Sequence, residues 1–431
     1  GGGGASALKE QIEESATPLG NLLEEIGFYQ DTHADEVFVL PERFFARAGA
    51  TAYSRICFRG DGLRDWTASG DERILFPYDE AIEQWAEAPS DPGLRWLWPV
   101  RTSLWARSVF GGKTYREAGR PWWDYHQFPK GRARAPRLIA FAEIATHNHF
   151  VLDRGGKVFN RTAPVIKLPA GSSEDTHLCL LGLLNSSVAC FWLKQVCFNK
   201  GNGGIGGGIS DEKWELRFAH NASQVADFPL PESGPLSDGR AIDQLAREYA
   251  DLLPAAILAA SGDRMGELAA LLDTAQRNAQ HRRALMIAAQ EELDWACYAL
   301  YGLLPSGTTP ESLRHPEPPP VPLGERAFEI VLARRMAAGR EQTTWFERHG
   351  STPITELPAH WPAGYRAVVE RRIALIEADR NIALIERPEY KRRWNDTPWA
   401  ELQQAALRDW LLDRLETEAY WPRNPEQPQV L

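Results

Sequence analysis

The sequence is poor in sulfur and has no long apolar run. Its five cysteines, in 431 residues, form no Cys-x-x-Cys pair, and no Cys/His cluster has the spacing of a zinc site. An odd number of scattered thiols is typical of a reducing compartment, so we predict a cytoplasmic protein whose cysteines are small buried side chains. No run of about eighteen apolar residues occurs, which predicts no membrane span.

The common catalytic motifs are also missing. There is no Gly-x-Ser-x-Gly, no His-Glu-x-x-His and no kinase signature. The glycine-rich stretch 201–208 lacks the Gly-Lys-Ser/Thr ending of a P-loop, which favours a surface loop. The stretch 395–399 lacks the adjacent prolines of an amino-methylating motif, and it predicts the start of a helix over 400–415.

What is present indicates a folded protein with real cores. Apolar residues make up 43% of the chain and charged residues 25%, which is typical of globular domains. Short strand-like runs, such as 36–40 and 214–218, dominate before residue 235, and 79–88 predicts a helix.

Apolar residues recur at helical spacing over 176–197, where Asn185-Ser186-Ser187 interrupts the helix or caps a second one. Beyond residue 235, the stretches 240–260, 263–278 and 282–301 have apolar residues at helical spacing. The opening four glycines are typical of a linker and suggest a start within a longer protein.

Positive charge is concentrated in one segment of an acidic chain. The formal net charge is −10, yet residues 101–170 contain 13 Lys or Arg against 4 Asp or Glu, a net charge of +9. Such asymmetry indicates a local surface that faces a polyanion. The alternative is that these cations pair with the acidic flanks of the chain.

The stretch 130–168 combines the strongest features of this segment. A cluster of cations precedes a strand predicted over 138–144, and a polar knot, Thr146-His147-Asn148-His149, follows the strand. A Gly-Gly turn at 155–156 then leads to a second apolar run at 163–168. Cations, amides and imidazoles beside strands suit contact with phosphates and base edges.

The polar knot has three possible roles. On a strand, His147 and His149 would share one face while Asn148 takes the other. Two histidines on one face could hold a metal, as in a nuclease, but no third ligand is evident nearby. The knot could instead read a base, or it could be a turn or core cluster whose hydrogen bonds are satisfied within the chain.

Four phrases of the sequence together resemble one known family. They occupy 137–159, 181–192, 291–302 and 382–394, and include Thr-His-Asn-His, Leu-Asn-Ser-Ser, Glu-Glu-Leu-Asp-Trp and Glu-Tyr-Lys-Arg-Arg-Trp. They look like the C-terminal part of the PglX family, the adenine-specific DNA methyltransferases of BREX and phage growth limitation systems. That family is similar to the single-chain type IIG and IIL restriction–modification methylases.

The resemblance implies a specificity part that lacks its catalytic part. Family members carry an N-terminal domain that binds S-adenosylmethionine and presents an Asn-Pro-Pro-aromatic motif to a flipped adenine. Neither feature is present in this sequence. The chain is therefore expected to choose the DNA site of an adenine-N6 methyltransferase in anti-phage defence. It is expected to contain no catalytic residue, cofactor site or metal site, and not to methylate alone.

The resemblance also implies partners and a division of the chain. The expected partners are double-stranded DNA, the N-terminal methyltransferase domain, and other BREX proteins or a phage inhibitor that mimics DNA. The predicted fold is α+β, with a mixed-sheet target recognition domain, a helical spacer and a mostly helical C-terminal domain. The predicted boundaries are 1–18 for a linker and first helix, 19–235 for target recognition, 236–304 for the spacer, 305–324 for a proline-rich linker and 325–431 for the C-terminal domain.

Eleven residues are predicted to contact DNA. Those expected at phosphates are Lys130, Arg132, Arg134, Arg137, Arg154, Lys157 and Lys200. Those expected at base edges are His147, Asn148, His149 and Asn199. Two other hypotheses stay open: a protein-interaction module using Trp345, Trp361, Trp394 and Trp399, and a metal nuclease using His147 and His149.

Overall fold

The structure is a computed structural model that describes residues 4–14, 16–79, 81–83, 92–201, 212–261, 265–394 and 397–415. Its α-helices are α1 Ala5–Glu13, α2 Asp35–Phe38, α3 Glu42–Arg47, α4 Pro92–Leu97, α5 Arg101–Trp105, α6 Lys130–Ala133, α7 Glu174–Leu184, α8 Ser187–Val196, α9 Ala222–Ala226, α10 Leu236–Ala250, α11 Pro254–Ser261, α12 Leu268–Leu300, α13 Ala327–Ala337, α14 Trp345–Arg348, α15 Ala363–Ala378, α16 Arg380–Ile385 and α17 Trp399–Leu415. Its strands are β1 Thr17–Pro18, β2 Glu25–Gly27, β3 Val39–Pro41, β4 Ser54–Phe58, β5 Leu63–Arg64, β6 Thr67–Ala68, β7 Glu72–Leu75, β8 Leu138–Phe141, β9 Ile144–Ala145, β10 Phe150–Asp153, β11 Val158–Phe159, β12 Val165–Lys167, β13 Phe198–Gly201, β14 Arg217–Ala219 and β15 Pro229–Leu230.

A central antiparallel sheet separates two hydrophobic cores. Its strand order is β10-β8-β12-β2. Because side chains alternate along a strand, Ile139 and Phe141 of β8 enter one core, and Leu138 and Ala140 enter the other. This explains why β8 is a continuous apolar run, since a strand buried on both faces has no polar side. The strand predicted over 138–144 is correct up to residue 141.

Two further sheets flank the central one. One has the order β11-β4-β7-β3, with β11 parallel to β4 and the other pairs antiparallel. The other has the order β13-β14-β9, and it places Phe198, Ala219 and Ile144 in one row across its strands. The mixed α+β class predicted from the sequence is confirmed, with small sheets in the first half and a mostly helical second half.

Helices α7 and α8 meet at a sharp junction that the sequence predicts. Ser173 and Ser186 cap their N-termini, and the Ser186 hydroxyl accepts a hydrogen bond from the Ala189 N–H at 3.2 Å. Between the helices, the Asn185 amide bonds both backbone groups of Phe150, at 2.9 and 3.1 Å. These hydrogen bonds fix the junction to Phe150, the first residue of β10.

One core continues across the predicted domain boundary at residue 235. It gathers Leu8 of α1, Ile139 of β8, Leu293 of α12 and Trp394. The structure has one helix where the sequence predicts two, over 263–278 and 282–301. Helix α12 continues for 33 residues, because no glycine or proline interrupts it. The predicted boundaries stay predictions, but this core is shared between the region before residue 235 and the later helices.

The proline-rich stretch 305–324 is docked on the helices. Leu313 and Val321 are buried in the shared core, and the Val321 N–H donates to the Ala284 carbonyl of α12 at 3.0 Å. Arg372 of α15 donates to the Leu313 carbonyl at 2.8 Å. This stretch therefore packs against α12 and α15, and its role as a linker between domains stays a prediction.

Several local predictions differ from the structure. The strand predicted over 36–40 is α2 followed by the short strand β3, and the strand predicted over 214–218 begins with a 3-10 turn at Lys213–Glu215. Residues 79 and 81–83 of a predicted helix form a turn, and 84–88 lie outside the described residues. The glycine stretch 202–208 and the predicted helix cap at 395–396 also lie outside them, whereas the helix predicted over 400–415 is confirmed as α17.

The cysteines and the apolar helices α7 and α8 lie largely in the protein interior. All five cysteines are free, and four of them are buried. In the part of the chain that the structure describes, no single helix has the length and apolar character to span a membrane; α7 and α8 pass such a test only as a pair bent by 65°.

Candidate functional site

The first cations of the 130–168 segment are paired with carboxylates. Lys130 and Arg134 both reach Glu83, at 2.5 Å each. Arg132 lies 3.1 Å from Glu25 and donates to the Phe28 carbonyl at 2.5 Å. One carboxylate cannot neutralise two cations, so the group formed by Lys130, Arg134 and Glu83 keeps a positive charge. Arg132 instead stabilises the backbone that follows β2.

The later cations of the segment are also paired. Arg137 and Arg154 share Glu174, at 3.2 and 2.8 Å, and Arg154 also reaches Asp243 of α10 at 2.7 Å. Lys157 lies 3.2 Å from Asp153. These contacts fit the alternative in which cations of the segment pair with acidic flanks. Phosphate contact by these side chains stays a prediction, and it would require phosphate to share or replace a carboxylate.

The His147-Asn148-His149 knot lies inside the protein. The three residues are 1, 3 and 5% exposed. They form a bend between β9 and β10, and the Asn148 amide donates to the Leu184 and Ser186 carbonyls at 2.6 and 3.0 Å. In this conformation none of the three presents a polar edge to a DNA groove, and the arrangement favours the reading in which their hydrogen bonds are satisfied within the chain.

Both histidines of the knot contact the segment 388–392. His147 Nε2 lies 3.1 Å from the Pro388 carbonyl, and His149 Nδ1 accepts from Arg392 at 3.0 Å. Burial holds the pKa of each imidazole well below its ordinary value, and Lys194 for His147 and Arg392 for His149 lower it further. The rings are therefore neutral. No cluster of three or more potential metal ligands exists among the described residues, so the nuclease hypothesis has no support from geometry.

Arg392 joins three parts of the chain at the knot. Its guanidinium bonds Asp65 at 3.2 Å, the Asn148 carbonyl at 3.0 Å and the Asn185 side chain at 2.8 Å. Asp65 lies in the β5–β6 turn with a φ of 44°. Arginine suits this position because its planar group carries five donors in a fixed fork. The turn, the knot and the α7–α8 junction are thereby held in one arrangement.

Lys391 is the centre of a fully buried charge cluster. Its side chain is 0% exposed, and its ammonium lies 2.8 Å from Asp294, 3.0 Å from Glu386 and 3.1 Å from Glu291. Burial alone would lower the pKa of Lys391, but the three carboxylates together raise it above its ordinary value. Asp294 also accepts from the backbone N–H and the hydroxyl of Ser187, at 2.8 and 2.7 Å.

The four phrases that carry the family resemblance meet in this interior. The knot, the α7–α8 junction, the acidic turn of α12 and the Lys391-Arg392 pair come from sequence positions up to about 250 residues apart. Their contacts are with one another, so the shared phrases describe how the chain is held together. This interior is not a surface for a ligand.

Strand β13 carries two predicted site residues that are exposed. Asn199 and Lys200 lie at the surface, and the Asn199 side chain accepts from the Gly201 N–H at 2.7 Å, which leaves its NH2 group to donate outward. Lys200 lies 5.1 Å from the ring centre of Phe198, which is 65% exposed. Within the described ranges, Lys200 has no ion pair with a carboxylate.

Sequence reasoning missed a second exposed basic feature, the hairpin around 108–114. Lys113 and Arg116 are exposed, and neither has a carboxylate partner in the portion of the chain with described coordinates. Arg116 lies over the Trp105 ring at 5.1 Å, and Phe110 at the hairpin tip is 81% exposed. The sequence carries a signal for this feature, because residues 101–120 hold five Lys or Arg and one acid, but the cation run after residue 130 is denser.

Comparison with known proteins shows that the chain is similar to an adenine-specific methyltransferase. This protein is PglX of Streptomyces coelicolor, which is 44% identical over 437 residues. The alignment covers 100% of this chain and 36% of PglX, so the chain spans about a third of that relative. The resemblance to the PglX family predicted from the four phrases is confirmed.

Two further comparisons cover parts of the chain. Residues 286–431 match the family described as domain of unknown function DUF7008. A solved structure of the type IIL restriction–modification enzyme MmeI in complex with DNA aligns with a TM-score of 0.40 and 13% identity, over 68% of this chain and 34% of MmeI. A likeness at that level carries no argument about function.

Proposed function

We propose that this chain is the DNA recognition part of an adenine-N6 DNA methyltransferase of the PglX type. The observation that carries the proposal is the 44% identity along the whole chain to an adenine-specific methyltransferase of which the chain covers 36%. An enzyme that methylates adenine at chosen sites needs a surface that selects DNA, and this chain contains no motif for the methyl transfer itself.

The division of labour follows from this proposal. S-adenosylmethionine binding and methyl transfer belong to a domain outside this chain. That domain would be a partner of this chain, and the residues described above would not bind the cofactor. Other defence proteins and a DNA-mimicking phage inhibitor remain expected partners of the whole enzyme. A cytoplasmic location is also expected. Docking through Trp345, Trp361 and Trp394 has lost its basis, because all three are buried in the shared core.

Unpaired surface cations support the proposal. Phosphate contacts supply most of the affinity of a protein for DNA, and a cation that already holds a carboxylate gains less from a phosphate. Lys113, Arg116 and Lys200 have no such carboxylate among the residues described. Asn199, with its NH2 group free to donate, is the proposed base-edge contact, since asparagine pairs with adenine edges.

The test is a salt titration of DNA binding. The chain should bind a mixed-sequence duplex, and with about three phosphates neutralised by the three unpaired cations the logarithm of affinity should fall with the logarithm of salt at a slope of about −3. Lys200→Ala should weaken binding to all duplexes alike and make the slope shallower by about one. Fluorescence anisotropy with a labelled duplex measures both quantities.

The matched control is Lys9→Ala, which removes a surface lysine that already pairs with Glu13 at 2.7 Å. It should leave affinity and slope unchanged. Absence of binding even at low salt, or binding that does not respond to salt, would contradict the proposed function. Equal effects of Lys9→Ala and Lys200→Ala would remove β13 from the DNA surface.

A further inference from the structure

Phe110 is the most exposed large apolar side chain in the described part of the protein. It is 81% exposed, whereas Phe198, the next, is 65% exposed. It lies at the tip of a hairpin closed by an antiparallel bridge between Ser108 and Thr114. Its nearest aromatic neighbour is His126, with ring centres 5.6 Å apart. Single exposed apolar residues are common on protein surfaces, so Phe110 is distinguished by its position at the tip of an ordered hairpin that also carries cations without a carboxylate partner among the described residues.

The hairpin is a rigid support for this ring. The Val109 N–H donates to the Lys113 carbonyl at 2.8 Å, and the Tyr115 N–H donates to the Arg107 carbonyl at 2.9 Å. Gly111 and Gly112 turn the chain with φ values of 97° and 80°, which favour glycine. The tip is therefore ordered by backbone hydrogen bonds rather than by contacts of Phe110.

The root of the hairpin is anchored in the protein interior by Tyr115 and Arg107. Tyr115 is 0% exposed, and the Arg107 guanidinium lies 4.3 Å from its ring centre. Arg107 also donates to the Thr32 and Trp122 carbonyls, at 2.5 and 2.7 Å. These contacts fix the direction in which the hairpin leaves the surface. Phe110 is therefore held in a defined position relative to the rest of the protein.

The charge around the ring is complementary to nucleic acid. Lys113 lies in the hairpin and Arg116 directly after it, and neither has a carboxylate partner in the described ranges. The one acid of the stretch 101–120, Glu117, accepts from the Thr114 N–H and hydroxyl at 2.8 and 2.9 Å. An exposed apolar ring on a hairpin with unpaired cations suits insertion between stacked bases, because the cations can hold the adjacent phosphates.

We propose that the hairpin docks on duplex DNA and inserts Phe110 between base pairs. This inference rests on the proposed DNA recognition function and gives it a mechanism. Insertion unstacks one step and unwinds or kinks the duplex, so the protein would read how easily a sequence deforms as well as its base edges. The phosphates flanking the insertion would be held by Lys113 and Arg116.

The experiment measures DNA unwinding by the 431-residue chain. Plasmid DNA is relaxed by a topoisomerase with the chain bound, and the linking number is read after protein removal. The wild-type chain should lower the linking number in proportion to bound protein. Phe110→Ala should abolish that change and weaken duplex binding about 5- to 100-fold, as expected for loss of base stacking. Phe110→Trp should retain both properties.

The control is Leu411→Ala, which removes another exposed apolar side chain, 50% exposed, from α17. It should change neither affinity nor linking number. Binding by the wild-type chain with no change in linking number, or a Phe110→Ala chain that unwinds like wild type, overturns insertion while leaving the proposed function intact. No DNA binding at all overturns both. Binding to polyglutamate that is as tight as to DNA and equally sensitive to Phe110 would assign the hairpin to an acidic protein.

Discussion

Replacing Lys391 by methionine is expected to lower the free energy of unfolding by about 3–5 kcal/mol. The substitution keeps a side chain of similar length but leaves Glu291, Asp294 and Glu386 buried without their cation. Burial already raises the pKa of Glu291 above its ordinary value with the lysine present, and the loss of that lysine should raise it further. Thermal or denaturant unfolding, followed by circular dichroism, measures the change.

Two companion variants make this prediction specific. Lys9→Met removes a surface ion pair with Glu13 and should cost less than about 1 kcal/mol. Glu386→Gln, added to Lys391→Met, removes one uncompensated charge while keeping an acceptor for the Tyr298 hydroxyl, which donates to it at 2.5 Å. The double variant should recover part of the loss. A stability loss for Lys391→Met no larger than that for Lys9→Met would show that the cluster is not an organising element of the fold.

Acidification should destabilise the protein well before most carboxylates titrate. Burial lowers the pKa of His220 to about 4, and burial also lowers that of His349 to about 4. In the unfolded chain these groups titrate near 6.5. Between those values the unfolded state holds more protons, so the free energy of unfolding falls as the pH falls, by roughly 1.4 kcal/mol per pH unit for each such histidine. His147 and His149, both buried and neutral, act in the same direction.

The variant His220→Gln isolates one of these groups. Glutamine does not titrate, and its NH2 group can donate to the Ala142 carbonyl, which lies 3.3 Å from His220 Nδ1. The pH dependence of stability between 6.5 and 4 should become shallower by roughly 1.4 kcal/mol per unit. Glu291, whose raised pKa makes the folded state gain stability on acidification, is unchanged in this comparison. Parallel pH profiles for variant and wild type would show that His220 takes up its proton at the same pH in the folded and unfolded states, which would contradict the prediction.

Local patterns predicted the parts of the fold that depend on neighbouring residues. The α7–α8 break followed from Asn185-Ser186 between apolar helical runs, and β8 followed from its apolar run. The sequence predicts two helices where α12 is a single one, because Gln280 and His281 weaken the apolar pattern between them without breaking the backbone. Which residues share a core across the chain could not be predicted, since it depends on contacts between distant elements.

The candidate site shows the same limit. Net charge located a basic segment, but charge along the sequence does not reveal that Glu174, Asp243 and Glu83 fold against its cations. Nor does it reveal that the polar knot is covered by Arg392, which lies more than two hundred residues later. Asn199 and Lys200 were predicted by their position before a glycine-rich stretch, and their exposure keeps them as candidates.

The central claim is that DNA contacts the cations that lack carboxylate partners. The most direct test compares two double variants in one salt titration: Lys113→Ala with Arg116→Ala, and Arg137→Ala with Arg154→Ala. The first pair should make the slope of log affinity against log salt shallower by about two. The second pair, whose cations hold Glu174 and Asp243, should lower stability and leave the slope unchanged. The reverse pattern, with a shallower slope only for Arg137→Ala and Arg154→Ala, would contradict the claim.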